Sequence, residues 1–383
     1  MAEDRVAETT SVVIVGAGPA GLAAGACLRK AGVDFIILER ADQIAPAWRR
    51  HYERLHLHTV KRFSSLPFLP FPKDYPRYVP RRQMVDYLDS YARTFNLQPR
   101  FGETVRSIRK DGSDWLVENT SSLIRALFVV VASGYNAEPV QPVFPGAERF
   151  KGHVMHAKDY ANGKPFAGQS VLVIGMGNTG AEIALDLVEQ GAHPTISLRN
   201  GVHIVPRELF GIPIQMFSIL SGILPLRGNS PLLLRIVDRA LGDLAPYGIR
   251  RPPGPIMQKT SGRARIPVID VGAVKKIQQR AIRIAPGISE ITADGAVFAD
   301  DSKARFDAII FATGYRANYS SFLPGYERDG AIGDVVVNDS SRESGVYFVG
   351  LRNSATGLLR DIAREAAMVA DDIAQRRPQA AHH

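Results

Sequence analysis

One cysteine stands in 383 residues, and a lone thiol forms no disulfide within the chain. That excludes a cross-linked secreted scaffold and fits a reducing, cytoplasmic compartment. It also excludes the Cys-x-x-Cys dithiol on which flavin disulfide reductases depend. Cys27 itself reads as a small packing residue inside a helix. No secretory leader is expected: residues 11–28 are apolar, but no basic segment of the signal-peptide kind precedes them. No apolar run is clean enough for a membrane span. The other candidate, residues 209–226, is interrupted by Pro213, Gln215, Gly222 and Pro225. It reads as a buried or lid-forming helix, with contact at a membrane surface left open. The nine histidines show no ligand spacing beyond His56 and His58. That pair reads as strand residues, so no metal site is expected. The catalytic residues stay unassigned.

Charge is plentiful and leans positive, with 47 Lys and Arg against 38 Asp and Glu, a net +9. Basic residues gather at Arg49, Arg50 and Arg54, at Lys61 and Arg62, and at Arg77, Arg81 and Arg82. No nucleic-acid-binding motif accompanies them. Attraction of an anionic cofactor or substrate is enough to explain the sign. The expected partners are a small-molecule substrate and O2, with no nucleic acid; oligomeric state is open, a homo-oligomer included.

Glycine is where the sequence is most informative. Gly16-Ala17-Gly18-Pro19-Ala20-Gly21 follows the apolar run Val12-Val13-Ile14-Val15. Gly175-Met176-Gly177-Asn178-Thr179-Gly180 follows Val171-Leu172-Val173-Ile174. Each run has a buried-strand pattern, and each loop is followed by a small-residue helical pattern. A backbone that must touch a pyrophosphate cannot carry side chains there, and the helix start supplies free N–H groups and partial positive charge. One such loop is weak evidence. Two in this context predict two dinucleotides and electron transfer between them.

The following strands separate the cofactors. Phe35-Ile36-Ile37-Leu38 ends at Glu39, with Arg40 beside it. A carboxylate roughly twenty residues past the loop accepts hydrogen bonds from ribose hydroxyls, which suits FAD or NAD. Thr195-Ile196-Ser197-Leu198 ends instead at Arg199, and arginine there suits the 2′-phosphate of NADPH.

The length allows two to three domains. The fold class expected is α/β, with two Rossmann-like domains and the NADPH domain inserted into the FAD domain. Residues 1–160 are expected to form the first part of the FAD domain. Residues 161–303 are expected to form the NADPH domain, with a helical insertion at about 200–270. Residues 304–383 are expected to return to the FAD domain. An amphipathic helix is predicted over 81–95 and strands over 104–109, 115–118 and 126–131. The last strand is predicted near 346–350 and the closing helix over 355–374.

Between the loops lies Phe150-Lys151-Gly152-His153-Val154-Met155-His156-Ala157-Lys158-Asp159-Tyr160. This run matches FxGxxxHxxxY and resembles the fingerprint of flavin-containing monooxygenases. Phe311-Ala312-Thr313-Gly314-Tyr315 resembles that family's later linker. Within the family the chain is most similar to YUCCA-type enzymes. The supporting segments include Leu55-His56-Leu57-His58, Val205-Pro206-Arg207-Glu208 and Tyr247-Gly248-Ile249-Arg250-Arg251-Pro252. Residues 352–359 depart from the plant enzymes, in the manner of a bacterial relative. Residues 58–62 lack the asparagine of animal-type enzymes. Tyr160 stands where Baeyer–Villiger relatives carry tryptophan.

The resemblance implies an NADPH- and O2-dependent FAD monooxygenase acting through a C4a-hydroperoxyflavin. It implies oxidative decarboxylation of indole-3-pyruvate or a related aryl 2-oxo acid. N- or S-oxygenation of another small molecule is the alternative within the family. A flavin-linked reductase or NADPH oxidase without oxygenation is the alternative outside it. By resemblance, Trp48 and His58 lie near the flavin, His156 and Tyr160 hold the connector against NADP, and Thr313 and Gly314 join the cofactor site. Lys61, Arg62, Arg250 and Arg251 are open candidates for an acidic substrate and are not assigned.

Overall fold

The computed structural model describes residues 6–223, 231–253, 258–260, 263–265, 267–326, 344–351 and 356–376. Two open parallel sheets organise them. In the first, the strand order is Arg100–Phe101, Phe35–Glu39, Glu8–Val15, Leu123–Val131, Asp114–Glu118, Ser107–Asp111. The first four run parallel and the last two form an antiparallel hairpin extension. Val346–Phe348, from the end of the chain, pairs in parallel with Val129–Val131.

The second sheet is wholly parallel, in the order Arg283–Ala285, His193–Ser197, Ser170–Ile174, Ala308–Phe311, His153–His156. Parallel strands need helical crossovers and so are covered on both faces, which is why their sequences are continuously apolar. Both glycine-loop strands show this. Val12 and Ile14 pack under helices on one face, and Val13 and Val15 fill the core on the other. Val171 and Val173 oppose Leu172 and Ile174 in the same way. Burial of each such side chain contributes about 1.5–3 kcal/mol.

Helices Pro19–Lys30, Arg81–Thr94 and Leu358–Arg376 cover one face of the first sheet. The predicted amphipathic helix is therefore present, its stripe of Met84, Tyr87, Leu88 and Tyr91 buried.

The domain boundaries need correction. His153–His156 and Ala308–Phe311 are strands of the second sheet, so breaks at 160/161 and 303/304 cut through its sequence. The physical reason is register: Ala308–Phe311 sits between Ser170–Ile174 and His153–His156 and cannot be separated from them. The chain returns to the first domain only at Tyr315–Arg316, which pairs antiparallel with Glu138–Pro139, so the two interdomain connectors are hydrogen-bonded to each other.

The insertion is mixed rather than helical. It carries helices Ile214–Ile223 and Pro231–Leu241, but also Ile204–Pro206 paired with Val268–Asp270 and the hairpin Glu208–Leu209/Ile212–Pro213. Among the described residues, no helix is long and apolar enough to cross a membrane. Residues 224–226 of the apolar run and 352–355 of the closing segment lie outside the described residues.

Candidate functional site

The two glycine loops are near copies in three dimensions. Gly16 leaves its strand at φ 108° and Gly175 at φ 101°. A Cβ on Gly16 would lie 2.6 Å from the Ala132 carbonyl oxygen, and one on Gly175 would lie 2.8 Å from that of Ala312. A Cβ on Gly21 or Gly180 would strike the carbonyl of the loop's own first glycine at 1.8 and 2.1 Å. The middle glycines differ: a Cβ on Gly18 or Gly177 would meet nothing within 4 Å. Both cap their helices in extended conformation, so each helix start faces open space. The outer glycines make room for packing, and the middle one leaves the backbone bare where a pyrophosphate can approach. The donor set and its clearance fit a dinucleotide in each loop.

Around the first loop, Glu39 is buried at the end of its strand. One carboxylate oxygen accepts the Ala17 N–H at 2.8 Å and the other accepts the Ala41 N–H at 2.9 Å. Two backbone donors thus fix the carboxylate beside the loop. Arg40 points outward and is exposed. Ala45, left-handed at φ 53°, donates its N–H to the Ala17 carbonyl at 3.0 Å and brings the short helix Pro46–Arg50 alongside. Trp48 on that helix is half-buried, edge-on to His51 and packed against the first core. The chain end completes this side. A Cβ on Gly350 would lie 2.9 Å from the Ala20 Cβ, and the Gly350 N–H donates to the buried Glu365 at 2.8 Å.

Around the second loop, the Asn178 side-chain oxygen accepts the Ile269 N–H at 2.7 Å, tying the loop to the insertion. Thr179, next on the helix, is half-buried. Arg199 is exposed just past its strand, over Gly287.

His58 does not stand alone. Its Nε2 hydrogen-bonds the carboxylate of Glu182, buried on the helix that leaves the second loop. On the same helix Glu189 accepts both prongs of Arg54 at 2.9 Å, and the Glu53 N–H donates to the Ala161 carbonyl at 2.9 Å. Residues 51–58 of the first domain are thereby clamped onto the second. Burial, more than the neighbouring Arg81 and Arg50 charges, pulls the His51 pKa below its ordinary value, with Glu182 opposing. Burial and Glu182 together push the Tyr52 hydroxyl well up.

The fingerprint knits the edge of the second sheet. A Cβ on Gly152 would lie 2.4 Å from the Asp307 carbonyl and 2.7 Å from the Phe150 ring. His156 ends its strand, buried, with Nδ1 accepting the Lys158 N–H at 3.1 Å and its ring edge-on to Tyr315. Burial lowers its pKa, offset in part by the Gly314 backbone. The Tyr160 hydroxyl donates to Asp186 at 2.7 Å, and the Gly163 N–H donates to the same oxygen at 2.8 Å. Thr313 hydrogen-bonds the Val140 carbonyl, and the Gly314 carbonyl accepts the Val140 N–H at 2.9 Å. These four residues are engaged within the protein, at the junction between connectors and second sheet.

Sequence reasoning missed Glu182 and Gln215. Gln215 is buried at the start of the insertion's first helix; its oxygen accepts the Val60 N–H at 2.9 Å and its nitrogen donates to the Thr356 carbonyl at 2.6 Å. It joins insertion, first domain and closing helix. A signal existed for both, since each is a polar residue inside an apolar helical run. The open cations are accounted for. Lys61 donates to the carbonyls of Pro72, Lys73 and Tyr75, Arg251 pairs with Asp238, and Arg62 and Arg250 are exposed. Among the described residues no cluster suited to a metal ion occurs.

Comparison with known proteins agrees with this geometry. The family described as flavin-binding monooxygenase-like matches residues 9–328. The chain is 41% identical to indole-3-pyruvate monooxygenase YUCCA1 of Oryza sativa subsp. japonica, over 97% of this chain and 93% of that protein. It is 38% identical to indole-3-pyruvate monooxygenase YUCCA6 of Arabidopsis thaliana, over 96% and 91%. A solved flavin-containing monooxygenase from Stenotrophomonas maltophilia superposes with a TM-score of 0.72 at 23% identity, covering 96% of this chain and 98% of that one.

Proposed function

The chain belongs to the flavin-binding monooxygenase-like family, and from that premise we propose that its substrate is indole-3-pyruvate or a related aryl 2-oxo acid. The enzyme is a class B flavoprotein monooxygenase that uses FAD and NADPH. The proposed reaction joins one 2-oxo acid, one O2, one NADPH and one proton. It yields the arylacetic acid, CO2, water and NADP. The observation that carries the substrate is the match, nearly end to end, to enzymes named for indole-3-pyruvate.

FAD, when bound, supplies the hydride acceptance and oxygen activation that side chains cannot. We assign Gly16, Gly18, Pro19, Ala20 and Gly21 to its pyrophosphate and Glu39 to its adenosine ribose. Gly175, Gly177, Asn178, Thr179 and Gly180 are assigned to the NADPH pyrophosphate, and Arg199 to the 2′-phosphate. The chain's remaining task is to orient the two cofactors and keep water out. The His58–Glu182 and Arg54–Glu189 contacts support that task by fixing one loop's domain against the other. Gln215 supports it by closing the insertion onto residues 59–60 and 356–357. The dithiol alternative finds no support, because the chain holds a single cysteine, Cys27.

The test is a substrate panel. NADPH and O2 consumption are followed with aryl 2-oxo acids, amines and sulfides, and products are identified by mass spectrometry. Stoichiometric arylacetate and CO2 are expected. Brisk oxygenation of amines or sulfides, with aryl 2-oxo acids untouched, overturns the substrate.

A further inference from the structure

A 2-oxo acid carries a carboxylate, and a site that selects it needs a cation placed where cofactors, insertion and first domain meet. We infer that Arg207 receives the substrate carboxylate, an inference that rests on the aryl 2-oxo acid reading above.

Position is the first argument. Arg207 sits in the turn after Ile204–Pro206. Its N–H donates to the Asp270 carbonyl at 3.3 Å, one residue from Ile269, which Asn178 of the second loop holds. Its carbonyl accepts the Ile214 N–H at 3.0 Å, one residue before Gln215, which binds Val60 and Thr356. Its guanidinium lies 4.1 Å over the Tyr78 ring. Tyr78 stands between Arg77 and Val79, whose carbonyls accept the Lys61 N–H at 2.9 Å and the Leu57 N–H at 2.8 Å. The main chain of Arg207 is thus tied to the segments that hold the second loop and Gln215, and its side chain lies against the strip paired with residues 57–61.

Availability is the second argument. Other cations between residues 54 and 81 are committed. Lys61 staples a loop through three carbonyls, Arg54 is paired with Glu189, Arg81 donates to the carbonyls of Arg49 and His51, and Arg77 pairs with Glu208. The Tyr78 hydroxyl takes the same Glu208 at 2.7 Å, so the nearest carboxylate is already shared. Arg207 is half-buried and, among the described residues, has no acidic partner within ion-pair distance. Stacking on a ring occupies a guanidinium's face and leaves its edge, with parallel N–H donors, for a planar carboxylate.

The test uses the FAD-loaded enzyme with Arg207→Gln and Arg207→Lys. Each is assayed for turnover with indole-3-pyruvate and for binding of its methyl ester, which keeps the ketone, removes the charge and cannot lose CO2. Binding of indole-3-acetate to the oxidised enzyme is followed separately through the flavin difference spectrum. Arg207→Gln is expected to lower kcat/KM for the acid by about ten- to a hundredfold, the size of a charge-assisted contact. It should change binding of the ester less than threefold and weaken indole-3-acetate binding in step with the acid. Arg207→Lys should recover part of the loss, and it carries the test if the glutamine variant does not fold. Equal loss with acid and ester overturns the assignment. So does a loss confined to NADPH affinity, which would make Arg207 a cofactor contact. If wild-type enzyme turns over aryl 2-oxo acids and Arg207→Gln treats them unchanged, Arg207 alone is wrong. If wild-type enzyme turns over none, the substrate reading falls and this assignment with it.

Discussion

His58 of the first domain hydrogen-bonds Glu182, which is buried on the helix that leaves the second glycine loop. A buried carboxylate bound by a histidine and approached by Arg54 is costly to break, because removing one partner strands the other in low dielectric. Glu182→Ala should destabilise the protein by about 1–3 kcal/mol, the cost of leaving its polar partner unsatisfied, and lower the rate of flavin reduction by NADPH. Thermal unfolding and single-turnover reduction check this. A variant with unchanged melting and reduction would show that the clamp is incidental.

Glu39→Ala should release FAD. The substitution removes the proposed ribose acceptor and also leaves the Ala17 and Ala41 N–H groups without their carboxylate. A hydrogen bond from the ribose to a charged group contributes about 1.5–3 kcal/mol, so FAD affinity should fall at least tenfold. Titration of apoprotein with FAD, followed by fluorescence, measures it. Undiminished affinity would place the adenosine ribose elsewhere.

Arg199→Ala should raise the Michaelis constant for NADPH on the order of tenfold or more, since a hydrogen bond to a charged group contributes about 1.5–3 kcal/mol. The constant for NADH should barely move. A parallel loss with both cofactors would remove Arg199 from the 2′-phosphate.

Tyr160→Phe separates packing from cofactor binding. The hydroxyl is spent on Asp186, which keeps the Gly163 N–H when the phenol is gone. A stability loss of about 1 kcal/mol with an unchanged NADPH constant is expected. A selective rise in that constant would show that Tyr160 reaches the nucleotide.

Stability should fall in mild acid. His51, His156 and His203 all have pKa values depressed below the ordinary 6.5, chiefly by burial. The unfolded chain therefore takes up their protons first. Their contribution is complete above pH 6.5 and is lost as pH falls from there through the lower folded-state values. Melting temperature measured from pH 8 to pH 5 should drop below about pH 6.5. A flat profile over that range would contradict their buried, neutral state.

Both glycine loops and their strands were legible because their requirements are local. A positive φ at Gly16 or a carbonyl pressed against Gly21 can be met by few residues, and the apolar runs beside them leave little choice of structure. The edge strand His153–His156 was read only as a motif, because it is short and mostly exposed, with no apolar run to announce it. Its membership in the second sheet depends on register with Ala308–Phe311, far along the chain. Glu182 and Gln215 escaped for a related reason. Their partners, His58 and Val60, are remote in sequence, and only folding brings them within reach.

Glu138–Pro139 and Tyr315–Arg316 carry the chain out of the first sheet and back, and they lie side by side as an antiparallel pair. Two separate tethers would let one body swivel on the other. Two tethers bonded along their length behave as a flat strap, which bends readily across its plane and resists twisting. Relative twisting of the two glycine-loop units is therefore resisted here, as it is where residues 51–58 clamp onto the helix that leaves the second loop.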